Sequence, residues 1–260
     1  MDKKYAPIGV FDSGVGGISV LRELWKLMPG ENYLYFGDSA SAPYGTRSAE
    51  NVIELTLENI DFLLMHGAKA IVIACNTATS VSITSAREAH PDVPIIGIEP
   101  ALKPAVLAKA HSRILVMATP VTLEQPRFNN MFHLYENDAE IVKVPCPGLV
   151  ELIESGVISG EPLVTYLRER LAPYDPDTAD AVVLGCTHYP LIRGTVQYVV
   201  PSAVIYDGGE GTARQTRLRL SECGTLSPNS AGGSVTFMNS LGTDAIIALS
   251  KRLFALPMER

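Results

Sequence analysis

Two short stretches of this chain repeat each other. Lys69-Ala-Ile-Val-Ile-Ala-Cys75-Asn-Thr77 and Asp180-Ala-Val-Val-Leu-Gly-Cys186-Thr-His188 are each a run of small and β-branched apolar residues, closed by a cysteine with polar residues behind it. Continuous apolar runs of this length suit strands buried on both faces, the situation of parallel strands covered by helices. The two cysteines lie 111 positions apart (186 − 75), as a duplicated half-domain would place them. A duplicated half sets the same group twice, on opposite sides of one cleft. Two thiols facing each other across a substrate can take a proton from one face and return another to the opposite face.

The rest of the chain alternates strands with helices. Ile8 to Phe11 reads as a strand, followed by the turn 12–17 and a helix from Ile18 to Leu27 that stops at Pro29-Gly30. A strand is expected at Tyr33–Phe36, a long helix from Ser48 to near Gly67, and a strand at Ala70–Ala74. A helix from about Thr79 to His90 and a strand at Val93–Ile98 follow. The pattern then restarts, with a helix at 100–109, a strand at Arg113–Ala118, and Thr119 turning into a helix. Further strands are expected at 141–145, 181–184 and 204–206, and helices around 148–155 and 163–171. Strand-then-helix units in series predict an α/β protein with mostly parallel sheets and helices on both faces. Strand Ile114–Ala118 with Thr119 resembles Ile8–Phe11 with Asp12, at an offset of 107 (119 − 12). The glycine-rich stretch Asp207–Gly211 reads as the crossing back from the second half. A helix at 212–221, a strand at 234–238 and a helix at 243–254 have no counterparts in the second half and are assigned to the first. The expected domains are 1–98 plus 210–260, and 99–209.

Composition narrows the class. Of 260 residues, 47% are hydrophobic and 19% charged, enough apolar side chain for a sizeable core and too few charges for disorder. A net charge of −7 and the lack of any Lys/Arg cluster argue against nucleic-acid binding. The apolar runs are too short to span a bilayer, and the first residues lack a signal-peptide core. The expected setting is cytoplasmic, with Cys75, Cys146, Cys186 and Cys223 as free thiols.

In parallel α/β sheets ligands bind at the carboxyl ends of the strands, and the polar clusters fall there. They are Asp12-Ser13, Asp38 with Pro43-Tyr44-Gly45, Cys75-Asn76-Thr77, and Cys186-Thr187-His188-Tyr189. A thiolate near a helix N-terminus is stabilised enough to act as a base, and both cysteines are placed where a strand gives way to a helix. Asp12 and His188 are candidates for proton exchange with the thiols. Ser13, Asn76, Thr77 and Thr187 are candidates for holding carboxylate and ammonium groups. Against this, a cysteine ending an apolar run is more often core than catalyst; the duplication and the polar residues behind both cysteines reverse that preference. Cys146, between two prolines, and Cys223 keep the core or surface reading. No C-x-x-C pair supports zinc, and Gly14-Val-Gly16-Gly17 is not a dinucleotide loop because Ser19 occupies the last glycine position. No metal and no dinucleotide are expected from these motifs.

At these residues the chain resembles a known family. Gly9-Val-Phe-Asp-Ser-Gly-Val-Gly-Gly17, Tyr35-Phe-Gly-Asp38 with Pro43-Tyr-Gly45, Ala74-Cys-Asn-Thr-Ala78 and Gly185-Cys-Thr-His-Tyr-Pro190 together resemble the glutamate racemases, in that family's order. The resemblance implies a cofactor-independent racemase of L- and D-glutamate that supplies D-glutamate for bacterial peptidoglycan. It also implies two similar α/β domains related by a pseudo-twofold axis, with the active site in the cleft between them, and a homodimer. Carried over by position, Cys75 and Cys186 match the catalytic bases, and Asp12 and His188 match the residues assisting them. Ser13, Pro43, Tyr44, Gly45, Asn76, Thr77 and Thr187 match substrate contacts. Cys146-Pro-Gly-Leu-Val-Glu-Leu-Ile-Glu154 is similar to a further block whose last glutamate approaches the catalytic histidine. That points to Glu154, with Glu151 as the neighbouring alternative. Two other readings stay open: a racemase of aspartate or another small acid using the same thiols, and a catalytically silent amino-acid sensor.

Overall fold

The computed structural model describes residues 3–257. Nine strands run through them: β1 (Ile8–Asp12), β2 (Tyr33–Gly37), β3 (Ala70–Ile73), β4 (Ile95–Gly97), β5 (Arg113–Ala118), β6 (Glu140–Pro145), β7 (Ala181–Leu184), β8 (Val204–Asp207) and β9 (Val235–Asn239). They form two sheets in which every pairing is parallel. The chain divides into two compact units. One comprises the residues up to Glu99 together with Gly209–Leu256, and the other is Pro100–Gly208.

The first unit's sheet has the order β4-β3-β1-β2-β9, and the second's is β6-β5-β7-β8. Read from its other edge, the second is β8-β7-β5-β6, the first four strands of the other sheet with each number raised by four. The repeat noticed in the sequence is thus a repeat of topology. Even single bonds recur. Ala74 N donates to Phe11 O and Gly185 N to Met117 O, both at 2.7 Å; Asp38 N donates to Asp12 O and Cys146 N to Ala118 O, both at 2.9 Å. By that ladder the counterpart of Asp12 is Ala118, one residue before the Thr119 that the sequence offset suggested.

Strands β1 and β3 are buried along their whole length, which is why they carry no polar alternation. In the first unit Phe11, Ile71 and Ile73 pack against Ile60, Leu63 and Ile83 of the covering helices. In the second, Ile114, Val116 and Val183 pack with Leu102, Val106 and Phe128. Each such side chain stabilises the fold by about 1.5–3 kcal/mol when fully buried. Helix Ala49–Met65 starts behind Ser48, whose hydroxyl caps it by accepting from Asn51 N at 3.3 Å. Helix Asp244–Phe254 is capped in the same way by Thr243.

Three local expectations are revised. The helix after β3 begins at Asn76, directly behind Cys75, and not near Thr79. The helix expected at 212–221 starts earlier, because helix Gly209–Glu222 opens on Gly209 and takes in Gly211. The helix expected after Thr119 breaks into Pro120–Glu124 and Pro126–His133. Gln125 is extended there (φ −64°, ψ 137°), as a residue preceding proline prefers. Beyond the repeat, β9 pairs in parallel with β2 and extends the first sheet.

Candidate active site

In the first unit the polar residues gather where β1, β2 and β3 end. Asp12 is the last residue of β1 and is fully buried. Its Oδ1 accepts from Gly14 N at 3.0 Å, and Tyr35 Oη fastens the same turn by donating to Gly14 O at 2.7 Å. A Cβ on Gly17 would stand 2.5 Å from Asp12 Cβ and 3.1 Å from Ala74 Cβ. Only glycine lets the next helix start this close to the carboxylate.

Cys75 caps helix Asn76–Ala89. Its backbone is extended (φ −70°, ψ 121°) and its sulfur accepts from Ala78 N at 3.5 Å. The thiol donates to Ser13 Oγ at 3.5 Å, a contact that reverses if the sulfur ionises, since the hydroxyl can then turn and donate. The positive end of the helix dipole and an inward N–H both favour the thiolate. Asn76 and Thr77 open the helix and are buried, and Asn76 Oδ1 is buried without a partner. Across the strand ends, Tyr44 donates its hydroxyl proton to Asp38 Oδ2 at 2.7 Å. Burial, Asp38 and the nearby charges of Cys75 and Asp12 drive the Tyr44 phenol far above its ordinary value, so it stays protonated.

The second unit repeats the cysteine but not its surroundings. Cys186 follows Gly185 at the end of β7, yet no α-helix begins behind it. A 3₁₀ turn starts three residues later at Tyr189, and the α-helix Arg193–Val199 comes after that. The expectation that both thiols sit at helix N-termini therefore holds for Cys75 alone. Cys186 has a histidine in that role, with His188 Nδ1 3.7 Å from its sulfur. His188 Nε2 in turn lies 2.6 Å from Glu154 Oε1. Glu154 ends the short helix Leu149–Glu154, which Gly148 introduces in the left-handed region (φ +81°); Glu151 lies on that helix's exposed side. Burial by itself would push the His188 imidazole down. Its hydrogen bonds to Cys186 and Glu154, with their charges, outweigh burial and hold it well above the ordinary histidine value. Thr187 is buried between Cys186 and His188 in sequence.

The other cysteines are of a different kind. Cys146 is buried behind β6 and, chiefly by burial, its thiol is pushed up to about 12, so it stays neutral. Cys223 is exposed, and all four cysteines are free. Among the described residues no group of three or more His, Cys, Asp or Glu side chains gathers as a metal ligand set, and no helix is long and apolar enough to cross a membrane. Sequence reasoning missed Asn59, which meets Tyr44 and Asp38. The signal was present, because Asn59 is a polar residue on the buried face formed by Val52, Thr56, Ile60 and Leu63.

Each parallel α/β unit thus places a buried, assisted thiol at the end of a strand, β3 in one and β7 in the other, a group suited to acid–base work. A family model for Asp/Glu/hydantoin racemases matches residues 8–216. The glutamate racemase of Clostridium acetobutylicum is 49% identical over 256 residues, covering 98% of this chain and 100% of that protein. Among solved structures, Francisella tularensis glutamate racemase in complex with D-glutamate matches with a TM-score of 0.83 and 27% identity, over 99% of this chain and 96% of that one. Escherichia coli glutamate racemase, in complex with L-glutamate and the activator UDP-MurNAc-Ala, matches with a TM-score of 0.83 and 30% identity, over 95% of each chain. The chain belongs to the Asp/Glu/hydantoin racemase family.

Proposed function

We propose that this chain interconverts L- and D-glutamate without a cofactor, using Cys75 and Cys186 as the two acid–base groups. The observation that carries the reading is the placement of an assisted thiol at the ends of β3 and β7, strands that occupy equivalent places in the two sheets. The near-complete coverage of a glutamate racemase at 49% identity supports glutamate as substrate.

The chemistry follows from the local geometry. One cysteine, as thiolate, takes the α-proton and becomes a thiol; the electron pair left on carbon delocalises into the α-carboxylate. The other cysteine, as thiol, gives its proton to the opposite face and becomes a thiolate. The product is the mirror-image amino acid, and the two sulfurs have exchanged protonation states, which is what the reverse reaction requires. For Cys75 the thiolate is favoured by Ala78 N–H, Ser13 and the helix N-terminus. For Cys186, His188 receives the thiol proton at Nδ1 while Glu154 holds Nε2–H. Asn76 Oδ1, a buried acceptor without a partner, suits the substrate ammonium. Asp12, Ser13, Pro43, Tyr44, Gly45, Thr77, Thr187 and His188 complete the proposed contacts. The resemblance extends the proposal to D-glutamate supply for peptidoglycan, to a homodimer and to work in the cytoplasm.

The test is racemisation in deuterated water with Cys75→Ser and Cys186→Ser. Each substitution is expected to lower racemisation at least ~100-fold, the scale of one positioned acid or base. Each variant should still exchange the α-hydrogen of one enantiomer only, and a different one in each case. Wild-type rates in either variant would refute the two-thiol mechanism, and faster turnover of aspartate than of glutamate would refute the substrate.

A further inference from the structure

Asp38, Tyr44 and Asn59 form a buried polar trio that the proton transfers do not use. Tyr44 Oη donates to Asp38 Oδ2 at 2.7 Å. Asn59 Nδ2 donates to Tyr44 Oη at 3.1 Å and lies 3.5 Å from Asp38 Oδ2. The three come from separate elements: the loop behind β2, the 3₁₀ turn Tyr44–Thr46, and the middle of helix Ala49–Met65. Their exposures are 4%, 1% and 8%.

A phenol has a single proton, and here Asp38 holds it. One oxygen lone pair takes Asn59. The hydroxyl therefore has no proton to offer a substrate carboxylate, and its bonds instead fix where the tyrosine stands. Asn59 sits on a helix face that is otherwise made of Val52, Thr56, Ile60 and Leu63. Thr56 satisfies its own hydroxyl within the helix by donating to Val52 O at 2.7 Å, so it reaches nothing outside. Asn59 reaches out of its helix. A buried amide is unfavourable unless bonded, and this one finds its partners on the loop that opens the candidate site. The same helix and loop are tied again at the loop's other side. Arg47 Nε donates to Ser41 O at 2.6 Å and its Nη1 to Asn51 Oδ1 at 3.0 Å.

We infer that Asn59, with Asp38, is a positioning residue for the substrate loop Pro43-Tyr44-Gly45, acting through the Tyr44 hydroxyl. This rests on the proposed glutamate reading, which assigns that loop to the substrate. Asn59 touches neither thiol in any bond of the site, so its removal acts on binding and leaves proton transfer intact.

Asn59→Leu keeps the volume and removes the donor. KM for both enantiomers is expected to rise about 3–10-fold, the effect of one hydrogen bond, with kcat within about twofold. In a Tyr44→Phe background the same substitution should change KM by less than about 1.5-fold, because coupled residues do not add. A role confined to helix stability would lower the melting temperature equally in both backgrounds and leave KM alone. Tyrosine labelled with ¹³C at Cζ reports the hydroxyl's bonding without turnover, and Tyr44→Phe identifies the resonance. Movement of the Tyr44 signal in Asn59→Leu supports the inference. An unmoved signal, or additive KM effects in the double-mutant cycle, overturns it. If wild-type protein racemises neither enantiomer while the Tyr44 signal still moves, the glutamate reading fails and the anchoring of the loop by Asn59 stands.

Discussion

Glu154 Oε1 lies 2.6 Å from His188 Nε2, and the other ring nitrogen faces Cys186 Sγ at 3.7 Å. The imidazole is held at one end and presented at the other, an arrangement that fixes both its tautomer and its orientation. Glu154→Gln removes the charge but keeps a group of the same size. The His188 imidazole, held high by Cys186 and Glu154 against the effect of burial, should titrate lower in the variant, as read from its Cε1 proton by NMR. Activity should fall about 10–100-fold, at or below the low end of the range for a general acid–base group, because Glu154 acts through His188. The loss in kcat/KM must be equal for L- and D-glutamate, since an enantiomer pair in water has an equilibrium constant of one. Only kcat and KM taken singly can differ between directions. A variant whose His188 titrates as in the wild type would show that Glu154 does not govern the ring.

The same pair sets a pH dependence of stability. A histidine whose folded value is raised binds protons more tightly folded than unfolded, so acidification through that range favours folding. Its stabilisation is complete below the unfolded histidine value of about 6.5 and is lost as the pH rises through the higher folded value. Urea unfolding of wild type and Glu154→Gln should therefore differ more below about pH 6.5 than above it, and converge at alkaline pH. A gap that widens with rising pH would contradict the assignment.

Gly17→Ala tests how tightly the turn behind β1 is built. The added Cβ would meet Asp12 Cβ at 2.5 Å and Ala74 Cβ at 3.1 Å, and neither neighbour is the end of a flexible chain. Overpacking of this kind costs about 1–3 kcal/mol. Because the clash falls on Asp12, kcat/KM should fall along with the unfolding free energy. A variant that loses stability but keeps full kcat/KM would separate Asp12 from the reaction.

Much of this was legible from the residues, for reasons that also explain the gaps. Strands β3 and β7 were readable because parallel strands buried on both faces need unbroken apolar runs, and the cysteines announce where those runs end. The start of the helix at Asn76 was not, because a sulfur that caps a helix leaves no Ser, Thr, Asp or Asn at the cap position. The asymmetry between the thiols was visible in part. His188 is written two residues from Cys186, but its grip by Glu154 spans 34 positions and came only through the family resemblance. Asn59 was passed over because polar residues are common on helices; only the burial of its face reveals that it must find a partner. Long-range ion pairs carry no periodic signal at all, and Lys69 is the clearest case.

Lys69 stands just before β3, and its ammonium lies 2.5 Å from Glu31 Oε2, with the two side chains 0% and 2% exposed. It also donates to Lys4 O and Thr225 O, each at 2.9 Å, while Glu31 Oε1 accepts from Ser227 N at 2.7 Å. The pair thus joins the first turn of the chain, the starts of two strands and the segment behind helix Gly209–Glu222. Lys69→Met preserves the aliphatic stem but strands a buried carboxylate, a loss of about 3–5 kcal/mol measurable by urea denaturation. Adding Glu31→Leu should recover a large part of that, since replacing both partners of a buried pair by apolar groups is often neutral. Glu31 and Lys69 precede β2 and β3, whereas the thiols and their helpers follow the strands, so kcat/KM of the folded Lys69→Met protein should match wild type within about twofold, as for independent sites. Wild-type stability in Lys69→Met would mean that the pair contributes nothing, and a large drop in kcat/KM with stability intact would place Lys69 in the chemistry instead.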